Sequence, residues 1–253
     1  MVGHRHRQGR RALLSAGVPI HSFGFTTIEK ITRKKSKFLP RDVEFIISEV
    51  ERIDPSGRAV ILADGRKIPY DFLIIATGAK IVPSETPGML DSWRDSIFDF
   101  YTADGAVALA EKLKDFKGGT VAVHITETPI KCPVAPLEFA FFADYCMGRK
   151  KMRDRAEIVF VTPLSAAFTK PVAAEKLGAL LEERSIKTVT DFAVERVDAA
   201  TRKLISYDNR EVFFDLLVTV PVNMGDELIE RSGMGDELGF IPTDPHTLRS
   251  KAY

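Results

Sequence analysis

Lys131-Cys132-Pro133-Val134-Ala135-Pro136-Leu137-Glu138 is the stretch of this chain best suited to chemistry. A thiolate is the reactive form of cysteine towards disulfides and persulfides. A helix N-terminus and a neighbouring cation both enrich it. Pro136 marks a helix start, because proline is favoured in a first turn, and Lys131 supplies the cation. The bland alternative is an inert, buried thiol acting as a small hydrophobe. Cys146, which follows Phe139, Phe141 and Phe142 on the same apolar helix, reads as such core filler. Two cysteines in a chain without a secretory signal suggest a reducing compartment and no disulfide framework. His4 and His6 lack further ligands, so no metal site is expected.

Several elements must position that cysteine. A helix is expected from about Thr102 to Phe116, with Ala106, Leu109, Ala110 and Leu113 at helical spacing. Gly118-Gly119 ends it, and Thr120–Ile125 follows as a strand. Glu157–Val161 reads as a strand, Ala173–Glu183 as a helix, and Lys187–Val189 as a further strand. This alternation is that of an α/β protein. After such a first strand, a nicotinamide dinucleotide site needs a Gly-x-Gly-x-x-Gly turn that places pyrophosphate on the helix N-terminus. Residues 126–138 contain no glycine and three prolines. Their backbone is therefore not expected to bind NAD. Cys132 takes the place of the phosphate turn. His124, inside the strand, reads as a satisfied core or edge histidine, with a cofactor contact or proton transfer as the alternatives. Trp93 reads as packing.

A repeat organises the rest. Residues 49–78 recur at 193–222 without a gap, with ten identities, among them Asp54/Asp198, Arg58/Arg202, Asp64/Asp208 and Asp71/Asp215. Self-similarity at this spacing points to two related domains. In each copy Asp64-Gly65 or Asp208-Asn209 supplies the tight turn of a three-strand meander. An apolar run follows, Tyr70–Ala76 or Phe214–Val220. Such runs suit parallel strands covered on both faces, and the first ends in Thr77-Gly78-Ala79.

An acidic residue, an apolar run and then Ala76-Thr77-Gly78 resembles the flavin-contacting strand of flavoproteins with two dinucleotide-binding domains. The Lys131–Glu138 segment resembles the sulfide:quinone oxidoreductases of the pyridine nucleotide-disulfide oxidoreductase superfamily. It is most similar to a bacterial group carrying Lys-Cys-Pro-x-Ala-Pro. Further matches run through Phe100-Tyr101-Thr102, Val161–Leu164, Ala167–Pro171, Glu230–Gly233 and Pro242–Leu248. The likeness covers roughly residues 40 to 250. It implies two interleaved Rossmann-like dinucleotide-binding domains of the FAD/NAD(P) type, the first incomplete. Residues 1–80 would be a partial FAD-type domain, 81–118 a linker and helix, 119–222 a degenerate NAD-type domain, and 223–253 a segment returning to the first domain.

The resemblance also implies FAD, with Thr77, Gly78 and Ala79 beside the flavin. Cys132 would be the thiol that takes sulfur from sulfide, a small thiol or a persulfide. Lys131 would stabilise the thiolate or the reduced flavin, and a quinone would accept the electrons. Thr169-Lys170-Pro171 would line the site or simply start a helix. Expected departures are equally specific: no Gly-x-Gly-x-x-Gly before residue 40, no Gly-Asp flavin motif after Ser250, no second redox cysteine and no amphipathic C-terminal anchor. The chain thus reads as an internal fragment or truncated reading frame. A non-catalytic remnant or interaction module without FAD is the alternative, and an NADH:quinone-type flavoprotein the weaker one.

Composition agrees with an enzyme: 45% of the 253 residues are hydrophobic and the net charge is +1. No stretch approaches the about 20 apolar residues that span a bilayer. A cytoplasmic location is expected, peripheral on the inner face of the membrane as in the full-length family. Residues 1–40 carry nine Lys/Arg against one Glu, leaving 27 basic and 34 acidic side chains beyond. His4–Arg11 reads as an irregular terminus, with an anionic membrane surface or nucleic acid as alternatives. No nucleic-acid motif accompanies it, so no nucleic-acid partner is expected. Homo-oligomerisation is left open.

Overall fold

In the computed structural model, residues 2–3, 11–13 and 17–253 are described. The basic run 4–10 lies outside them. The chain forms two compact units. The first holds Met1–Leu13, Thr32–Lys80 and Met224–Tyr253, and the second Leu14–Ile31 and Ile81–Asn223.

The meander of the first unit comprises β1 (Val50–Asp54), β2 (Ala59–Leu62) and β3 (Lys67–Pro69), all antiparallel. Val50, Ile53, Val60 and Leu62 face one side and pack on Leu228, Ile229 and Met234. Leu228 and Ile229 belong to a helix, Glu227–Arg231. The Ser232 hydroxyl ties the two together, accepting from the Ile53 N–H at 2.9 Å and donating to the Leu228 carbonyl at 2.6 Å.

The second unit is built in the order β4 (Ile97–Phe98), α1 (Ala103–Asp115), β5 (Gly119–Ile125), α2 (Ala135–Arg149), β6 (Ala156–Val161), α3 (Pro171–Glu183) and β7 (Lys187–Val189). A second meander follows, β8 (Val194–Asp198), β9 (Lys203–Ser206) and β10 (Glu211–Phe213), and then β11 (Leu216–Val220). The sheet is parallel throughout, in the order β7-β6-β5-β11-β4. It is apolar on both faces, as strands covered from two sides must be. Val121, Val123 and Ile125 point into one core with Leu109, Leu137 and Phe139, while Ala122 joins the other with Val159, Phe192 and Leu217.

The repeat holds down to single hydrogen bonds. Leu62 N–H donates to the Arg66 carbonyl at 2.9 Å and Ser206 N–H to that of Arg210 at 3.0 Å. Ala63 N–H reaches Glu49, and Tyr207 N–H reaches Ala193, both at 3.0 Å. Both β1–β2 and β8–β9 carry a bulge at the same place, Val50/Arg52 and Val194/Arg196. Arg58 and Arg202 share a left-handed backbone, φ 48° and 55°.

The apolar runs diverge. Leu216–Val220 is a fully buried strand between β5 and β4. Tyr70–Ala76, expected to be its counterpart, is not a strand: Phe72 is 93% and Ile74 91% exposed, while Leu73 and Ile75 pack on the small core. The physical reason is context. A doubly covered parallel strand needs hydrogen-bonded neighbours on both edges; the Tyr70 N–H reaches the Arg58 carbonyl at 3.0 Å, but among the described residues Asp71–Ala76 pairs with no strand.

One further segment lies elsewhere than its sequence neighbours suggest. Residues 17–31, placed by sequence in the first domain, belong to the second unit, where Phe23 packs on Phe139 and Phe142 with centroids 4.8 and 5.9 Å away. The stretch 81–118 contains the expected helix as α1 and also supplies edge strand β4 to the second unit. Among the described residues no helix is long and apolar enough to cross a membrane, and no cluster of potential metal ligands occurs.

Candidate active site

In an open parallel sheet, ligands collect beyond the carboxyl ends of the strands, where the strand order reverses. Here that point lies between β5 and β11. The turns after β4, β5 and β11 meet there.

The turn after β5 carries the thiol. Cys132 is half-buried and lies three residues before α2. Its carbonyl accepts from the Tyr101 hydroxyl at 2.6 Å and from the Ala135 N–H at 3.2 Å. One residue earlier, the Lys131 N–H donates to Asn223 Oδ1 at 3.1 Å, and Asn223 Nδ2 donates to the Pro221 carbonyl at 2.8 Å. The thiol's backbone is therefore fixed to the end of β11 on one side and to the end of β4 on the other.

Tyr101 touches this turn three ways. Besides its hydroxyl, its carbonyl accepts from Lys131 Nζ at 3.3 Å, and that ammonium lies 5.2 Å from the ring centroid, within the range of a cation–π contact. Burial, followed by the negative charges of Cys132 and Glu138, raises the Tyr101 pKa well above its usual value. Tyr101 therefore stays a protonated donor. Lys131 as a whole remains exposed, yet burial of its ammonium lowers its pKa, against the opposing influence of Asp99 and Cys132.

Asp99 anchors Tyr101. It is fully buried, pairs with Arg94 Nη2 at 2.6 Å, and accepts from Tyr101 N–H at 3.0 Å, Thr102 N–H at 2.7 Å and Thr102 Oγ1 at 2.9 Å. Thr102 in turn caps α1 by accepting from the Gly105 N–H at 3.0 Å, as an N-cap threonine does. Glycine is required at 105, since a Cβ there would lie 2.3 Å from the Asp99 carboxylate.

His124 lies at the end of β5. It is fully buried, with Nδ1 3.0 Å from Thr219 Oγ1, and Thr219 Oγ1 is 3.5 Å from Thr126 Oγ1. Nε2 has no partner among the described residues, so the expected satisfied core histidine is satisfied on one nitrogen only. Burial pushes its pKa down to about 3, and the ring is neutral at physiological pH. Cys146 is half-buried on α2, with burial raising its thiol pKa. Lys170 precedes α3 and Pro171 opens it, the helix-start reading of that triplet.

Thr77, Gly78 and Ala79 lie in the first unit. Thr77 and Gly78 are exposed and Ala79 is half-buried. Gly78 has φ +79°, and a Cβ built there would meet nothing within 4 Å. Its glycine is thus demanded by the backbone and leaves open space in front.

A family model for pyridine nucleotide-disulphide oxidoreductases matches residues 4–251. The chain belongs to this family. Among its relatives, the sulfide-quinone reductase of Aquifex aeolicus is 26% identical over 226 residues, 85% of this chain and 51% of the relative. The mitochondrial sulfide:quinone oxidoreductase of Dictyostelium discoideum is 22% identical, covering 87% and 50%. The solved structure of the Aquifex aeolicus sulfide:quinone oxidoreductase superposes with a TM-score of 0.77 at 22% identity, covering 98% of this chain and 57% of that one. The chain spans about half the length of the relatives it matches. The superposition shows the α/β, Rossmann-type fold of FAD/NAD-binding oxidoreductases.

The turn after β5 departs from the glycine-rich turn that a nicotinamide dinucleotide needs. Three of its amides are already engaged: Thr126 N–H donates to Val220, Lys131 N–H to Asn223, and Ala135 N–H to Cys132. With no glycine and these amides engaged, the turn does not fit a pyrophosphate. For a flavin, the open, small-residue stretch Thr77–Ala79 fits one end of the group, while no Gly-x-Gly-x-x-Gly occurs in the sequence for the other. Sequence reasoning missed Asp99, Arg94 and Asn223. An aspartate just before an N-cap threonine was the available signal for Asp99. Asn223 left none, because its partner lies 92 residues away.

Proposed function

We propose that this chain is the thiol-bearing part of an FAD-dependent oxidoreductase that oxidises sulfide, or a small thiol or persulfide, and delivers the electrons to a quinone. The observation that carries the reading is Cys132 with Lys131 at the sheet's switch point, in the turn where a nicotinamide enzyme would hold pyrophosphate. Sulfide:quinone oxidoreductases among the relatives support it.

FAD, when bound, would supply the two-electron carrier between sulfide and quinone, and Thr77, Gly78 and Ala79 are the residues assigned to it. The protein's own part is at the thiol. As a half-reaction, Cys132–SH and HS⁻ give Cys132–S–SH, one proton and two electrons. Only the thiolate is a competent sulfur nucleophile, so the ammonium of Lys131 is assigned the stabilisation of negative charge there. Tyr101, held as a donor, keeps the turn in place. A quinone dissolved in lipid calls for work at a membrane surface, on the cytoplasmic face.

Phe72 and Ile74, both more than nine-tenths exposed, favour a second reading, in which this chain alone is a scaffold that holds no flavin. Reduction of a soluble quinone with sulfide or NADH as donor separates the readings. We expect sulfide-dependent reduction that Cys132→Ala abolishes and no NADH-dependent rate. An unaltered sulfide rate in Cys132→Ala would remove the thiol from the mechanism. No rate with either donor, and no bound flavin, would favour the scaffold.

A further inference from the structure

Cys132 is held from both sides by residues that the sulfur chemistry itself does not need. Asn223 bridges from the Pro221 carbonyl to the Lys131 N–H. Tyr101 donates to the Cys132 carbonyl, and also accepts from the Lys131 ammonium and lies beneath it. A single tyrosine thus contacts both the thiol's own residue and the ammonium of the residue before it. Behind Tyr101, the buried Asp99, paired with half-buried Arg94, fixes its backbone.

We propose that Tyr101 and Asn223 are positioning residues that hold the Lys131 ammonium beside Cys132 and so make the site selective for anionic sulfur, hydrosulfide or a persulfide anion, over neutral thiols. This rests on the reading of Cys132 as the redox thiol. A lysine on a free loop spreads its charge over many rotamers and is screened by salt. A lysine pinned over an aromatic ring in a partly desolvated turn acts as a fixed charge. The bulk of the Tyr101 ring also packs edge-on against Phe100, with centroids 5.0 Å apart, so the clamp is continuous with the core.

The test compares alkylation of Cys132 by iodoacetate, an anion, with that by neutral iodoacetamide. Peptide mass analysis follows Cys132 apart from Cys146. The ratio of the two rates reports local charge, because the thiolate fraction cancels. The ratio in the wild type is expected to exceed that of glutathione by about 3–10-fold at low salt and to shrink as salt is added. Lys131→Gln should bring it to the glutathione value. Tyr101→Leu, which removes the ring beneath the ammonium and the hydroxyl on the Cys132 carbonyl, and Asn223→Ala should each lose at least half of the excess, with melting temperatures showing the fold intact. Lys150→Gln, near Cys146, should leave it unchanged.

Wild-type ratios in both Tyr101→Leu and Asn223→Ala would overturn the proposal, as would a wild type no different from glutathione. Should one of the two variants fail to fold, the other decides alone. Alkylation needs neither FAD nor sulfide. A failed clamp with sulfide activity intact leaves the functional reading standing, and a verified clamp without sulfide activity refutes only that reading.

Discussion

The Tyr101 hydroxyl donates to the Cys132 carbonyl at 2.6 Å, joining the turn after β4 to the turn after β5. The strength of this joint depends on Asp99, which holds the Tyr101 and Thr102 amides and the Arg94 guanidinium from a fully buried position. Removing one member of a buried pair leaves the other charge uncompensated.

Asp99→Asn is therefore expected to destabilise the second unit by about 3 kcal/mol. Thr102→Ala, which loses the α1 cap, should cost about 1 kcal/mol. Urea unfolding followed by circular dichroism measures both. An Asp99→Asn protein as stable as the wild type would show that the pair contributes nothing.

His124 makes the fold sensitive to acid. Its folded pKa is lowered from 6.5 to about 3 by burial, so the unfolded chain binds a proton that the native chain refuses. The stability this neutral ring contributes is present above pH 6.5 and is lost as pH falls towards 3. The slope from this one group is about 1.4 kcal/mol per pH unit. His124→Asn, which keeps a polar partner for Thr219, should lose less stability between pH 6 and pH 4 than the wild type. Parallel curves for the two proteins would contradict the assignment.

The two apolar runs offer a controlled comparison inside one molecule. Phe72→Ser and Ile74→Thr should shift stability by no more than about 0.5 kcal/mol, as exposed positions do. At the aligned buried positions Leu216→Ser and Val218→Thr should cost about 2–5 kcal/mol, through lost burial and unpaired hydroxyls. Chemical denaturation of the four variants checks this. A large loss at Phe72 would mean the segment is covered in solution.

That comparison also shows what the residues themselves could reveal. The meanders were legible because turn chemistry at Asp64-Gly65 and Asp208-Asn209 is local, and β5, β6 and β7 because their apolar runs and flanking helices are local too. Tyr70–Ala76 misled because strand formation there depends on neighbours that its own residues do not encode. Cys132 and Lys131 stood out by type and spacing. Asn223 did not, since the Lys131 amide it accepts from lies 92 residues away; Asp99 did not either, although its partners Arg94, Tyr101 and Thr102 all lie within five residues of it.

The central claim, that Cys132 is a redox thiol working with a flavin, is most directly tested by the visible spectrum of the protein. The chain is mixed with FAD, freed of excess, and treated with sulfide under anaerobic conditions. The account predicts a retained flavin band that sulfide bleaches in the wild type and leaves intact in Cys132→Ala. A colourless protein, or equal bleaching in the variant, would contradict it.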